Sequence, residues 1–291
     1  MIPSRPDIMG VVNITPNSFS DGNQFNKKDA FNARMNELFS RKVNWVDIGA
    51  ESTAPFNDPV TEKEEQSRFA KIFFPWIEQA FEFPVVSIDT YRPSTFVFVN
   101  DFLKKHSKKT SIWNDVSGVM DENVFEILKA RPDCFYVYCS TNIQRREHTS
   151  RHMENPFNCK PEEITDAIKK DFFSVYEVFK SKGMEDRLIF DPAFGFSKTF
   201  SQNWELIKNL GPLIESFPQN IPWIIGISRK SFLKEMTFKA DPDKILVQTE
   251  YLQTILISRW LEKFGNRPVF FRLHDPGVFA MAKILEEKNV S

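Results

Sequence analysis

Short runs of apolar, β-branched and aromatic residues recur along the chain. They lie at 8–14 (IMGVVNI), 43–48 (VNWVDI), 84–88 (PVVSI), 111–116 (SIWNDV), 134–139 (CFYVYC), 187–190 (RLIF), 221–227 (IPWIIGI) and 268–273 (PVFFRL). Their length and composition predict strands. Longer charged stretches with helical spacing separate them. Thr61 and Glu64 resemble a capping box leading into Phe69, Ile72, Phe73 and Trp76. Pro161, Glu162 and Glu163 place a proline and two acids in a first turn, ahead of Ile164, Ile168, Phe172, Val175 and Phe179. The block from Pro242 to Phe264 reads as one long, apolar helix. About eight strands alternating with about eight helices, with no break between halves, predict an α/β fold. The architecture is a (β/α)8 barrel occupying residues 1–291 as a single domain, with a doubly wound sheet as the rival.

Composition narrows the function classes. The chain has 291 residues, a net charge of -1 and a pI near 6.5, so no general attraction to nucleic acid or an anionic membrane is expected. The apolar runs fall short of the roughly 20 residues that span a bilayer. MIPSRPDIMG lacks the order of a signal peptide. Cys134, Cys139 and Cys159 have no metal-type spacing and cannot all pair, which suits a reducing cytosol; Cys134 and Cys139 read as core residues. The 30 phenylalanines against 10 glycines carry no evident functional meaning in the sequence.

A barrel places its chemistry where strands end. Seven of the eight predicted ends carry an amide, a carboxylate or a cation: Asn13, Asp47 running into Glu51-Ser52-Thr53, Asp89-Thr90, Asn114-Asp115, Asp191 to Lys198, Ser228-Arg229-Lys230-Ser231, and Arg272-Leu273-His274-Asp275. A single strand-end Asp or Ser is ordinarily a helix cap; seven together point to a site. Asp89, Asn114 and Asp191 offer acceptors for the edge of a flat nitrogen heterocycle. Arg229, Lys230, Arg272 and His274 suit a phosphate or diphosphate. Ser231 is expected to open a helix whose free N–H groups attract an anion. The polar stretches 15–26 and 50–60 read as covers for a reaction. No Gly-rich phosphate loop, zinc triad or Cys–His pair is present.

These motifs, in this order, resemble the dihydropteroate synthase family over nearly the whole chain. The matching stretches are Asn13-Ile-Thr-Pro-Asn-Ser-Phe-Ser-Asp-Gly22, Asp47-Ile-Gly-Ala-Glu-Ser-Thr53, Ser87-Ile-Asp89-Thr90, Asn114-Asp115-Val-Ser-Gly118, Asp191 to Lys198, Ser228 to Ser231 and Arg272 to Asp275. The resemblance implies a TIM-barrel transferase of folate synthesis. It would join 6-hydroxymethyl-7,8-dihydropterin diphosphate to 4-aminobenzoate, with Mg2+ required. It implies that Asp89, Asn114, Asp191 and Lys230 hold the pterin, with Phe196 beside them and with Asp89 and Lys230 taking part in catalysis. By the same resemblance Asn13 places the Mg2+–diphosphate unit, and Arg272 and His274 bind diphosphate. Phe19, Thr53 and Ser231 shape the aminobenzoate pocket, and Asp21 assists the ordered, reactive state. A homodimer is also implied, and the family is a sulfonamide target; susceptibility itself depends on fine loop geometry in the region that has diverged. The cytoplasm is the expected location.

The chain departs from the family pattern in places. Ala54 stands where an arginine that contributes to diphosphate binding is usual, Asn17 where an aspartate is usual, and Ala193 replaces the glycine of Asp-Pro-Gly. After strand five, Tyr138-Cys139-Ser140 replaces a Met-His-Met type segment. Arg145, Arg146, His148 and Arg151 follow, either as a solvated loop or as a substitute for the charge missing at Ala54. The alternative function is a divergent pterin-binding barrel: a paralogue with weakened synthase activity, or a methyltetrahydrofolate-type methyltransferase. The helix around Ile245, Tyr251, Ile255 and Trp260 is apolar over more than one stripe, which suggests burial on a second side.

Overall fold

A computed structural model describes residues 2–15, 24–52, 58–80, 84–106, 110–237 and 244–288. The strands are β1 (Asp7–Asn13), β2 (Trp45–Gly49), β3 (Val85–Asp89), β4 (Ser111–Asp115), β5 (Cys134–Cys139), β6 (Leu188–Asp191), β7 (Trp223–Ile225) and β8 (Val269–Leu273). They follow one another in sequence order around a closed barrel, so the doubly wound rival is set aside. Helices α1 (Gln24–Ser40), α2 (Glu62–Arg68), α3 (Phe74–Gln79), α4 (Pro93–His106), α5 (Glu122–Ala130) and α6 (Ile164–Ser181) lie between them in the chain. So do α7 (Phe200–Lys208), α8 (Leu210–Glu215), α9 (Ser231–Lys234) and α10 (Ile245–Phe264), and α11 (Pro276–Lys288) follows β8. Two compact units divide the chain: residues 9–138 with 143–152, and residues 2–8, 139–142 and 153–291.

In the first unit, β1 to β5 pair in parallel. The predicted cap is present, with Thr61 Oγ1 accepting from the Glu64 N–H at 3.2 Å. Beyond α2 the helix departs from its expected phase. Pro75 has no N–H to return to the preceding turn, and residues Phe69–Phe73 widen into a π turn in which the Phe74 N–H reaches Phe69 O. Phe69, Phe73, Trp76 and Ile77 are therefore the buried set, and Ile72 is only half-buried. Phe31 meets both Phe73 and Trp76 edge to face, and those two rings stack on each other.

In the second unit, β6, β7 and β8 pair in parallel. Helix α6 buries Ile164, Ile168, Phe172, Val175 and Phe179, as its spacing predicts. Phe172, Phe190, Phe217 and Trp223 pack ring against ring between α6 and the strands. Trp260, Phe264, Phe271 and Phe279 do the same between α10, β8 and α11. The abundant phenylalanine is thus the filling between strands and helices. Cys134 and Cys139 are buried, as expected. Among the described residues no helix is long and apolar enough to cross a membrane.

Candidate active site

In the first unit, parallel register sets Asn13, Gly49, Asp89 and Asn114 in one row at the ends of β1 to β4. Residues in register share a face. Gly49 matters here for space: a Cβ on it would stand 3.3 Å from both Cβ and Oδ2 of Asp89. Asn114 is oriented from behind, its Nδ2 donating to Oδ1 and Oδ2 of the fully buried Asp47 at 3.1 and 3.2 Å. A carboxylate accepts only from the NH2 side of an amide, so Asn114 Oδ1 is turned away from Asp47. That oxygen is buried and has no hydrogen-bond partner among the described residues.

Asp115 alternates to the opposite face. It accepts the Ser117 N–H (3.1 Å) and hydroxyl (2.6 Å), the Tyr136 hydroxyl (2.9 Å) and the Arg146 guanidinium. Arg146 donates further to Tyr91 O (3.2 Å), Ser117 Oγ (3.1 Å) and Val119 O (2.5 Å), and its guanidinium carbon lies 5.8 Å from the Trp113 ring. Burial pushes the Asp115 carboxyl upward against the pull of Arg146. The facing carboxylate holds Arg146 charged more firmly than usual. The solvated reading of this segment therefore fails for Arg146, while Arg145, His148 and Arg151 are exposed. A second arginine, Arg92, pairs with the buried carboxylates of Glu51 and Glu65 and donates to Val60 O and the Tyr91 hydroxyl.

In the second unit, Asp191 ends β6 and accepts the Ala193 N–H at 2.7 Å. Burial raises its pKa, and the Ala193 N–H, Lys230, Arg272 and Lys198 pull it back down. The following loop winds through positive φ at Ala193 (53°), Gly195 (80°) and Ser197 (54°). Lys230 Nζ sits 4.4 Å above the Phe196 ring. A Cβ on Gly226 would lie 3.8 Å from Arg272 Cδ and 4.0 Å from Asp191 Oδ2, so these two groups converge on that glycine. The His274 N–H donates to Ser228 Oγ at 3.2 Å, and its Nδ1 is 3.1 Å from the same oxygen. Ser231 opens a helix as expected, although α9 is a single turn and the serine itself is exposed.

Both units thus carry acceptor and donor groups at strand ends, and the sequence matches a known model over residues 9–259, that of the pterin binding enzymes. The chain belongs to the pterin binding enzyme family. Among curated relatives, a dihydropteroate synthase of Clostridium beijerinckii is 31% identical over 233 residues, covering 80% of this chain and 77% of that protein. A dihydropteroate synthase of Escherichia coli K12 is 28% identical over 80% of this chain and 76% of its own length. The chain spans about half (47%) of a 28% identical folate synthesis bifunctional protein of Arabidopsis thaliana. The solved dihydropteroate synthase of Clostridium difficile, studied in the presence of pteroic acid, superposes with a TM-score of 0.76 at 26% identity, covering 99% of this chain and 98% of that one. That of Yersinia pestis, in a sulfonamide drug complex, shares the fold at 23% identity with a TM-score of 0.77, covering 99% and 96%.

Of the residues expected to serve this pterin binding enzyme, Asn114 and Asp191 are buried. Asn13, Asp89, Phe196, Lys230, Arg272 and His274 are half-buried. Phe19, Asp21 and Thr53 lie outside the described residues, as do Asn17 and Ala54. The sequence pattern assigned no role of their own to Asp47, Arg92 or Lys198, and left Arg146 open between a solvated loop and a substitute charge. Asp47 and Lys198 were visible only as parts of motifs. Nothing in the local pattern reveals a carboxylate partner 31 residues away.

Proposed function

We infer that this chain catalyses dihydropteroate synthesis, condensing 6-hydroxymethyl-7,8-dihydropterin diphosphate with 4-aminobenzoate to give 7,8-dihydropteroate and diphosphate. The observation that carries this reading is Asn114 Oδ1, a buried acceptor without a hydrogen-bond partner among the described residues, which Asp47 holds in one orientation. An orphaned buried acceptor costs stability, and the N–H edge of a pterin satisfies it. Asp191 is the matching acceptor of the second unit, and Lys230 and Phe196 supply a cation and a ring for the heterocycle. Asp89 completes the pterin set. Arg272 and His274 take the diphosphate, while Phe19, Thr53 and Ser231 take the aminobenzoate and Asp21 assists ordering of the first loop.

The reaction breaks the pterin methylene C–O bond, and the electron pair leaves on diphosphate. The aminobenzoate nitrogen then forms the new C–N bond and loses a proton. No protein nucleophile is required; the residues bind, orient and stabilise developing charge. Mg2+ is proposed as the cofactor. The amide oxygen of Asn13 suits a hard cation that takes most of its ligands from phosphate and water, and when bound the ion neutralises charge on the departing diphosphate.

The protein is further proposed to act in the cytoplasm as a single-domain homodimer. Leu246, Val247, Tyr251 and Ile255 of α10 and Met281 and Ile284 of α11 are exposed large apolar residues on helices that pack together, and Tyr251 is 66% exposed. A second copy would cover them. The decisive experiment is diphosphate release from the dihydropterin diphosphate, with and without 4-aminobenzoate and with and without Mg2+. The expected result is release that needs both, with pteroate formed. Tight pterin binding without release at high enzyme would sink the synthase reading and leave a pterin-binding paralogue.

A further inference from the structure

Lys198 is a cation with almost no contact with water. Its side chain is 2% exposed, and it has no carboxylate within salt-bridge distance among the contacts of the described residues. Instead its Nζ donates to three backbone carbonyls: Ser140 O at 2.8 Å, Ala193 O at 3.2 Å and Phe196 O at 3.2 Å. The Phe157 ring closes over it with a centroid 4.8 Å away. An ammonium has three N–H groups and here meets three acceptors.

Two of those carbonyls belong to the loop after β6, and the third to the residue after β5. That loop is the one with positive φ at Ala193, Gly195 and Ser197. Non-glycine residues in that region persist only where surrounding contacts impose it. Asn203 adds a second hold, its Oδ1 accepting the Gly195 N–H at 2.7 Å and its Nδ2 donating to Lys198 O at 3.2 Å. The loop starts at Asp191 and carries Phe196, which faces Lys230.

We propose that Lys198 is a positioning residue for the pterin: its ammonium, gripping the carbonyls of Ser140, Ala193 and Phe196, winds the loop after β6 into the form that presents Asp191 and Phe196 to the heterocycle. This rests on the pterin-binding reading of the site and adds a residue that does not touch the substrate. The grip depends on charge state. A neutral amine keeps two N–H groups and turns a lone pair toward the third carbonyl, so one of the three contacts becomes repulsive. Burial lowers the lysine to about 7. Asp191 on β6, Cys139 on β5 and Asp171 on α6 oppose that shift, and Lys230 after β7 reinforces it. The sign for stability is the reverse of the sign for binding. The folded state sheds its proton at lower pH than the unfolded chain, so raising the pH from about 7 toward the ordinary lysine value of about 10.4 favours the folded state. Over the same interval the loop loses a contact and pterin affinity falls.

The test measures the dissociation constant of 6-hydroxymethyl-7,8-dihydropterin, without its diphosphate so that no phosphate titrates, from pH 6 to 9. It is run on the wild-type protein and on Lys198→Met, with thermal stability followed in parallel. Wild-type affinity is expected to fall through about pH 7 while its stability relative to the variant rises. Lys198→Met is expected to bind roughly ten- to a hundred-fold more weakly, the scale of a small misplacement of binding groups, with no step near pH 7. Wild-type affinity and pH profile retained in Lys198→Met would overturn the proposal, as would affinity and stability moving together. A wild-type protein that binds no pterin at any pH counts against the synthase reading instead. In that case hydrogen exchange of the 193–197 amides decides: faster exchange in Lys198→Met supports the grip, and unchanged exchange overturns it.

Discussion

Asp115 and Asn114 are neighbours in the chain and serve different ends. Asn114 faces Asp47 and leaves an acceptor open, whereas Asp115 faces Arg146, Ser117 and Tyr136 and is saturated. Of the two, Asn114 is the one left with an open acceptor among the described residues. Arg146 ties the ends of β3 and β4 to its own segment, and removing it strands a carboxylate that has no access to water. Arg146→Met is therefore expected to cost about 3–5 kcal/mol, the penalty for breaking a buried ion pair from one side. Urea denaturation checks this. Arg146→Met combined with Asp115→Asn should recover much of the loss, because the uncompensated charge is gone. A single variant as stable as wild type would show that the pair contributes nothing.

At the scale of elements, side-chain caps mark the starts of α2, α5 and α7. Helix α7 starts with Thr199, whose Oγ1 accepts the Gln202 N–H at 3.2 Å while the Gln202 side chain accepts the Thr199 N–H at 2.9 Å. This reciprocal box ends the loop that carries Phe196, so the cap fixes one end of a site loop as well as a helix. Thr199→Ala should lower stability by about 1 kcal/mol, seen as a lower urea midpoint at unchanged slope. The π turn at Phe69–Phe73 is an element-scale accommodation too: Pro75 removes a donor, and the helix widens by one residue to keep its aromatic face inward.

Across the whole molecule, the eight strands close in chain order, and each unit carries polar groups at its strand ends. The apolar surface of α10 and α11 is where assembly would be decided. Tyr251 and Ile255 are exposed on it at 66% and 46%. Tyr251→Glu combined with Ile255→Glu should convert a dimer to a monomer in analytical ultracentrifugation with the fold retained. A wild-type protein that sediments as a monomer at all concentrations would refute the dimer.

The sequence by itself determined the order of elements, the barrel and the residue types offered at the strand ends. These depend on local pattern: strand runs fall within a few residues of the observed limits, α6 buries the five residues its spacing names, and the motif residues at strand ends carry their chemistry in their side chains. Tertiary structure alone decided which of those groups are spoken for. Asp115, Glu51 and Lys198 look as available as Asn114 or Asp191 when read along the chain. Their partners lie tens of residues away in sequence, as Arg146, Arg92 and Ser140 do. A buried charge is defined by what surrounds it in space, and that is why a basic run open to a solvated reading along the chain contains the arginine that secures the end of β4.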